Sequence, residues 1–249
     1  MPGMRQLPHG YTNRTVGDGS VVVKEYAGPD ARDRQRREHL VLDRLAGAVP
    51  LPQLVAAGGL RLTTGFVGGA HGQDLLAPEE SPARAAAVLA ACGRTLREIH
   101  TLDPARLSDL PPLPDTAVTV PQAPGGTGGT AGGHTVPVHG DYGPNNLLLD
   151  PADHTVTAVF DWEFAHLGSA VEDLAWCEWI VRTHHPDRTP LLGEFFGAYG
   201  GPAPGWPTRR AVMVARCRAL EAFCTRWEPG GEGARQWARR AAATAAWRE

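Results

Sequence analysis

Hydrophobic and polar positions along the chain follow two periods. GSVVVKEY (19–26) is a short β-branched run bounded by Gly-Asp-Gly and Gly-Pro, which predicts a strand paired with YTNRTVG across the GDG turn. PDARDRQRREHLVLDRLAG (29–47) shifts to helical spacing, with Leu40, Val41, Leu42 and Leu45 as its apolar face and Gly47 as its stop. LPQLVAAGGLRLTTGFVGG predicts two short strands and a glycine-rich connection. Residues 81–103 predict a second helix: Ser81 caps it, Pro82 suits its first turn, and Val88, Leu89, Leu96 and Ile99 recur at helical spacing. Residues 115–135 are rich in Gly, Pro and Thr and predict a flexible surface loop. NNLLLD and TVTAVF, two apolar runs around PADH, predict a hairpin. From about residue 168 the chain is mostly helical, in SAVEDLAWCEWIVRTHH, TPLLGEFFGAYG, TRRAVMVARCRALEAFCTRW and GARQWARRAAATAAWRE. The order is α+β: strands with one main helix, a short connection, then helices with one embedded hairpin. There is no internal repeat.

Composition narrows this picture. A chain of 249 residues, 42% of them apolar, suits one large domain or two lobes with a real core. A formal charge of −3 argues against a general nucleic-acid binder, which needs a basic surface. No apolar run approaches the roughly 20 residues that span a membrane, and MPGMRQLPHGYTNRTV has no apolar signal-peptide core. Cys92, Cys177, Cys217 and Cys224 lack metal-site spacing and read as buried free thiols. The expectation is a cytoplasmic protein with no membrane and no nucleic-acid partner, and no obligate protein partner is evident.

Chemistry concentrates in VHGDYGPNNLLLD (138–150), where His139, Asp141, Asn145 and Asn146 run into an apolar strand. Buried polar groups cost free energy unless paired or needed. A tight turn held by its own hydrogen bonds is one reading. The other follows from the hairpin: if its strands pair about the turn, Asn146 falls opposite Asp161 at the open end, with Asp141 on the entering loop. Two carboxylates and a carboxamide at one edge suit a hard divalent cation, and Glu163 lies two residues past Asp161.

HGDYGPNN followed by FDWEFAHLGSAVEDLAW resembles the catalytic segment of the aminoglycoside phosphotransferase and choline kinase family. Both motifs, their separation and the downstream Gly-x-x-x-x-Asp-Leu-Ala pattern agree. The resemblance implies a protein-kinase-like two-lobe fold: a small antiparallel-sheet N-lobe with one main helix (1–66), and a mainly helical C-lobe with a catalytic hairpin (67–249). It implies that Asp141 is the catalytic base, that His139 supports its loop, and that Asn146 and Asp161 hold Mg2+ on the nucleotide phosphates. Asp173 would brace the loop from a helix. Such a site also needs a strand lysine on the phosphates and a helix glutamate holding it. Lys24, the only lysine in the chain, and Glu38 fit these places. The loop over the phosphates would be LPHGYTNRTVGDG, with Gly10 for close approach and Thr12 or Asn13 as donors. LTTGFVGG would connect the lobes, the backbone at Thr64, Phe66 and Val67 meeting adenine. His100 reads as a packed helix histidine.

The implied activity is transfer of the γ-phosphoryl group of ATP, or GTP, to a hydroxyl of a small molecule. An aminoglycoside or other antibiotic leads as acceptor; a sugar, choline-like amine or amino-alcohol follows. From Trp162 to Glu249 ten acidic residues face eleven arginines, a balance that does not suggest a strongly acidic pocket. Glu178, Asp187, Glu194 and Glu221 are possible contacts. The tryptophans of this region read as helix-packing core. A regulatory pseudokinase and a metal-dependent phosphoesterase are the rivals from other classes; the joint presence of Lys24, Asp141, Asn146 and Asp161 argues against the first, and the lysine and glutamate of a separate lobe against the second.

Overall fold

Asp18 closes the first hairpin by accepting from the backbone N–H of Ser20 and Val21 at 2.9 and 3.0 Å, the local bonding that makes aspartate a turn residue. In the computed structural model, residues 3–7, 13–113 and 135–249 are described; Gly10, Thr12 and the glycine-rich stretch 115–134 lie outside them. Strands β1 (Arg5–Gln6), β2 (Arg14–Gly17) and β3 (Val21–Glu25), helix α1 (Ala31–Arg44), and strands β4 (Leu54–Gly58) and β5 (Arg61–Gly65) come first. The strands form one antiparallel sheet in the order β1-β2-β3-β5-β4. Lys24 lies on the central strand, opposite Thr15 on one side and Leu62 on the other.

Helix α1 differs from its expected pattern. Val41, Leu42 and Leu45 enter the core, but Leu40 is only half-buried, while Arg34, Gln35, Arg37 and Glu38 are buried. The reason is that this face of α1 meets the rest of the molecule through polar bonds. Arg37 donates to the carbonyls of Glu163, Pro111 and Pro112 at 3.0 to 3.2 Å. Arg34 donates to the Glu163 carboxylate at 2.9 Å. Buried charges are tolerated only with such partners.

Strand β6 (Ala70–His71) and helix α2 (Pro82–His100) follow, and the Ser81 hydroxyl accepts the Arg84 N–H at 3.2 Å as the expected cap. Strands β7 (Val136–Val138), β8 (Leu147–Leu149), β9 (Val156–Val159) and β10 (His166–Gly168) make two small sheets, β6-β8-β9 and β10-β7. Strands β6, β7 and β10 were not part of the sequence expectation; two or three residues are too few to show a period. Helices α3 (Val171–His184), α4 (Leu192–Tyr199), α5 (Trp206–Trp227) and α6 (Glu232–Ala245) complete the chain.

Helix α3 is buried continuously from Val171 to Val181 and separates two apolar clusters. The larger joins α1, α2, β8, β9 and α4; the smaller sets Trp176 and Trp179 against Val212, Met213 and Cys217 of α5. Most tryptophans therefore pack as expected, but Trp227 is 43% exposed. Cys92, Cys177 and Cys217 are buried free thiols, and Cys224 is half-buried. Among the described residues, no helix is long and apolar enough to cross a membrane.

Candidate active site

The loop after β7 is built on a buried carboxylate. Asp173, in the first turn of α3, accepts the backbone N–H of His139 at 2.7 Å and that of Gly140 at 2.9 Å. His100 reaches the same carboxylate through Nε2 at 3.2 Å, and its Nδ1 meets the Tyr199 hydroxyl at 3.0 Å. Burial alone would raise the Asp173 carboxyl, but these hydrogen bonds and the neighbouring His100 and His139 hold it below its ordinary value. Gly140 has φ +82°, and a Cβ there would strike the Phe164 carbonyl, so only glycine fits.

His139 is fully buried with both ring nitrogens engaged: Nδ1 accepts the Asp141 N–H at 3.2 Å and Nε2 lies 3.0 Å from the Phe160 carbonyl. Both contacts fix the orientation of the ring. The loop thus delivers Asp141 with its carboxylate held twice, by the Trp176 indole N–H at 2.7 Å and by the Asn146 amide at 2.9 Å. The same Asn146 nitrogen donates to the Asp141 carbonyl at 2.8 Å. Asn146 spends its hydrogens on Asp141, and among the described residues no hydrogen bond reaches its amide oxygen. Burial pushes the Asp141 carboxyl up, as does the Asp161 carboxylate, while Arg216 and the Trp176 bond oppose the rise.

The hairpin register differs from the expected one. Leu147 stands opposite Val159, and the Phe160 N–H donates to the Asn146 carbonyl at 3.1 Å, so Asn146 faces Phe160 and Asp161 lies one residue beyond. The turn pairs Asp150 with Thr155, and a shift of register between Leu148 and Leu149 moves Asn146 one residue nearer to Asp161 than unbroken pairing would. Asp161 itself has φ +68°, a left-handed conformation that aspartate tolerates better than most residues, and its carboxylate contacts Lys24.

Around Lys24 the charges converge from β3, α1 and the segment between β9 and β10. Its ammonium lies 2.7 Å from Glu38, contacts Asp161 and is 3.5 Å from Glu163. Tyr26 donates to the same Glu38 oxygen at 2.5 Å. Burial would lower the lysine pKa, but the carboxylates of Asp161, Glu163 and Glu38 outweigh it and hold it well above its ordinary value. Glu163 is pushed up to about 7 by burial, with Asp161 and Glu38 reinforcing and Lys24 and Arg34 opposing. Oxygens of Glu38, Asp161 and Glu163 lie within 4.8 Å of one another. With the free amide oxygen of Asn146, this all-oxygen donor set fits a hard divalent cation.

Two clefts meet here. One of about 510 Å³ lies against the five-stranded sheet, between apolar side chains such as Val22, Leu62 and Leu148, and contains Lys24, Glu38 and the strip Thr64–Val67. The other, of about 680 Å³, contains Asp141 under a wall of tryptophans. Asn146 and Asp161 line both.

The structure therefore brings Lys24, Glu38, His139, Asp141, Asn146 and Asp161 together. Thr64, Phe66 and Val67 edge the first cleft, although the Phe66 N–H is already given to the Ser20 carbonyl at 2.9 Å. Asn13 departs from its expected place. It is buried, its amide donating to Glu163 at 2.6 Å and its oxygen accepting from Arg34 at 3.3 Å, so it ties the sheet to the loop instead of lining the first cleft. Glu178, Asp187, Glu194 and Glu221 do not line the second cleft; Glu178 is locked in α3 by Arg182 at 2.9 Å and Arg209 at 2.6 Å. Sequence reasoning missed Trp176, Tyr26, Arg34 and Arg216, whose roles depend on neighbours distant in the chain. Arg216 stacks 4.8 Å from the Phe164 ring and 5.8 Å from Trp176, with Nε and Nη2 buried and lacking hydrogen bonds.

Comparison with known proteins gives a consistent set of likenesses. The phosphotransferase enzyme family profile matches residues 3–127 and 110–212. The macrolide 2′-phosphotransferase MphH of Brachybacterium faecium is similar at 21% identity and TM-score 0.65, over 99% of this chain and 93% of that one. A thermostable mutant of aminoglycoside phosphotransferase APH(4)-Ia, in ternary complex with ADP and hygromycin B, is similar at 16% identity and TM-score 0.64, over 98% and 93%. These likenesses carry the fold: a protein-kinase-like arrangement of a small antiparallel sheet and a mostly helical remainder. Acyl-CoA dehydrogenase family member 11 of Pongo abelii is 27% identical over 92 residues; that is 36% of this chain but only 11% of that protein's length.

Proposed function

The chain belongs to the phosphotransferase enzyme family, and from that premise we propose that it transfers the γ-phosphoryl group of ATP to a hydroxyl of a small molecule. The observation that carries this reading is the junction: Asn146 and Asp161 line both clefts, beside Asp141. Residues 1–66 hold the nucleotide and residues 67–249 supply Asp141 and the acceptor site.

In this reading Lys24, anchored by Glu38, binds the α- and β-phosphates. The strip Thr64–Val67 and the apolar floor of the first cleft take the adenine, and GTP is the second candidate donor. Asn146 and Asp161 would hold Mg2+, which when bound neutralises charge on the phosphates. Asp141 receives the acceptor hydroxyl's hydrogen bond and orients its oxygen for in-line attack. Trp176 and Asn146 keep the carboxylate in one orientation, and His139 and Asp173 keep the loop in one conformation. Among acceptors a hydroxyl-bearing antibiotic comes first, supported by the solved relative that is a macrolide 2′-phosphotransferase. A sugar or amino-alcohol follows.

The test is Mg2+-dependent ADP release, wild type beside Asp141→Ala, across aminoglycosides, macrolides, sugars and choline. The expected result is acceptor-stimulated release that falls about 10²- to 10⁴-fold in the variant. An unchanged rate in Asp141→Ala, or no nucleotide binding by the wild type, would overturn the proposal.

A further inference from the structure

The wall of the second cleft is aromatic and carries an unpaired cation. Trp176 and Trp179 stack face to face, with centroids 4.4 Å apart and planes 2° apart, and Trp237 leans on them at 6.1 and 5.5 Å. Phe164, Phe223 and the exposed Trp227 continue the surface. Arg240 of α6 lies over this wall, its guanidinium 4.5 Å from the Trp237 ring and 5.6 Å from Trp179. Among the described residues it has neither a carboxylate partner nor a hydrogen bond.

Negative charge is scarce by comparison. Beyond Asp141 and Asp161, the one acid on this lining among the described residues is Glu228. Of the neighbouring acids, Glu178 is paired with Arg182 and Arg209, Glu172 with His166, and Glu232 with Arg235 and Arg239. The residues outside the described set contain a single acid, Asp115. A polycation needs several free carboxylates, whereas a stacked guanidinium with unused donors suits a planar oxyanion.

Resting on the phosphotransfer proposed above, we infer that the acceptor is a hydroxylated molecule with a flat apolar face and a carboxylate-like oxyanion, and that Arg240 selects it. The apolar face lies along the Trp237 wall, the oxyanion meets Arg240, and the hydroxyl reaches Asp141. Polycationic aminoglycosides are then poor ligands of this cleft.

Calorimetric titration of the full chain, loaded with Mg2+ and ADP, tests this with 6-(hydroxymethyl)-2-naphthoate, its 2-aminomethyl counterpart and kanamycin. The carboxylate probe is expected to bind about tenfold more tightly than the aminomethyl probe. Arg240→Gln is expected to bring the two within about twofold, while Arg240→Lys, which keeps the charge, retains part of the preference. Equal binding of the two naphthalenes by the wild type, tighter binding of the aminomethyl probe or kanamycin, or a preference that survives in Arg240→Gln would overturn the inference. Because the readout is binding, it separates from the parent proposal: lost preference with ADP release intact sinks the selectivity alone, whereas absent turnover sinks the phosphotransfer.

Discussion

At the scale of single residues, the loop after β7 is held by a side chain that lines neither cleft. Asp173 organises the loop: it accepts two backbone N–H groups and a His100 contact in a fully buried place. Its folded pKa lies below the ordinary 3.8. A carboxylate depressed in the folded state contributes stability above the unfolded value and loses it as pH falls through the folded one. The wild type should therefore lose this contribution only below about pH 4. Asp173→Asn turns an NH2 toward backbone donors and should cost about 2–3 kcal/mol at neutral pH, while flattening the acid limb. Urea unfolding at a series of pH values, for both proteins, checks both effects. An acid limb unchanged in the variant would assign acid sensitivity to other carboxylates.

At the scale of elements, the segment just past β9 holds a residue in a left-handed backbone conformation. Asp161 occupies the left-handed region at φ +68°, a conformation that costs a non-glycine residue about 1–3 kcal/mol at most such sites. It also adds a third carboxylate to a cluster in which Lys24 and Arg34 supply two cations. Glycine at this position relieves the backbone and lowers the excess negative charge. Asp161→Gly is expected to melt at or above the wild-type temperature while losing acceptor-stimulated ADP release. A lower melting temperature would mean that the Lys24 contact outweighs the strain. The same logic explains α1, whose buried arginines reach Glu163 and the carbonyls of the segment before the glycine-rich stretch. An amphipathic pattern does not announce such a face, because polar partners, not apolar ones, cover it.

At the scale of the whole molecule, the two clefts share, among the described residues, Asn146 and Asp161 at their junction. A ligand there joins the sheet that carries Lys24 to the hairpin that carries Asp161, and it binds the folded state alone. Mg2+ with ADP at 100 times its dissociation constant should add about 2.7 kcal/mol to stability. Thermal melting with increasing nucleotide, with and without a chelator, measures this. Chelation is expected to remove most of the gain, since phosphates would then approach Glu38, Asp161 and Glu163 without an intervening cation. A gain indifferent to chelator would place the nucleotide away from this cluster.

The sequence by itself determined the parts of this protein that are local. The loop after β7 and the hairpin entry lie within HGDYGPNN and FDWE, where a few residue types at fixed spacing already imply oxygen ligands beside a strand. Lys24 stood out because every other basic side chain in the chain is arginine or histidine. Helix caps and the Gly-Asp-Gly turn are equally local in origin. Only the tertiary structure decided what depends on distant pairs. Asn13 and Glu163 meet across 150 positions and Arg34 and Glu163 across 129, and no period or motif records such a meeting. Trp176 reads as core in sequence, yet its indole N–H holds Asp141. The charge of the second cleft could not be obtained by counting acids and arginines, because Glu178 and Glu232 are taken up by ion pairs while Arg240 lies on the lining without one. Local chemistry is written in neighbouring residues; net charge at a surface is what remains after long-range partners have been chosen.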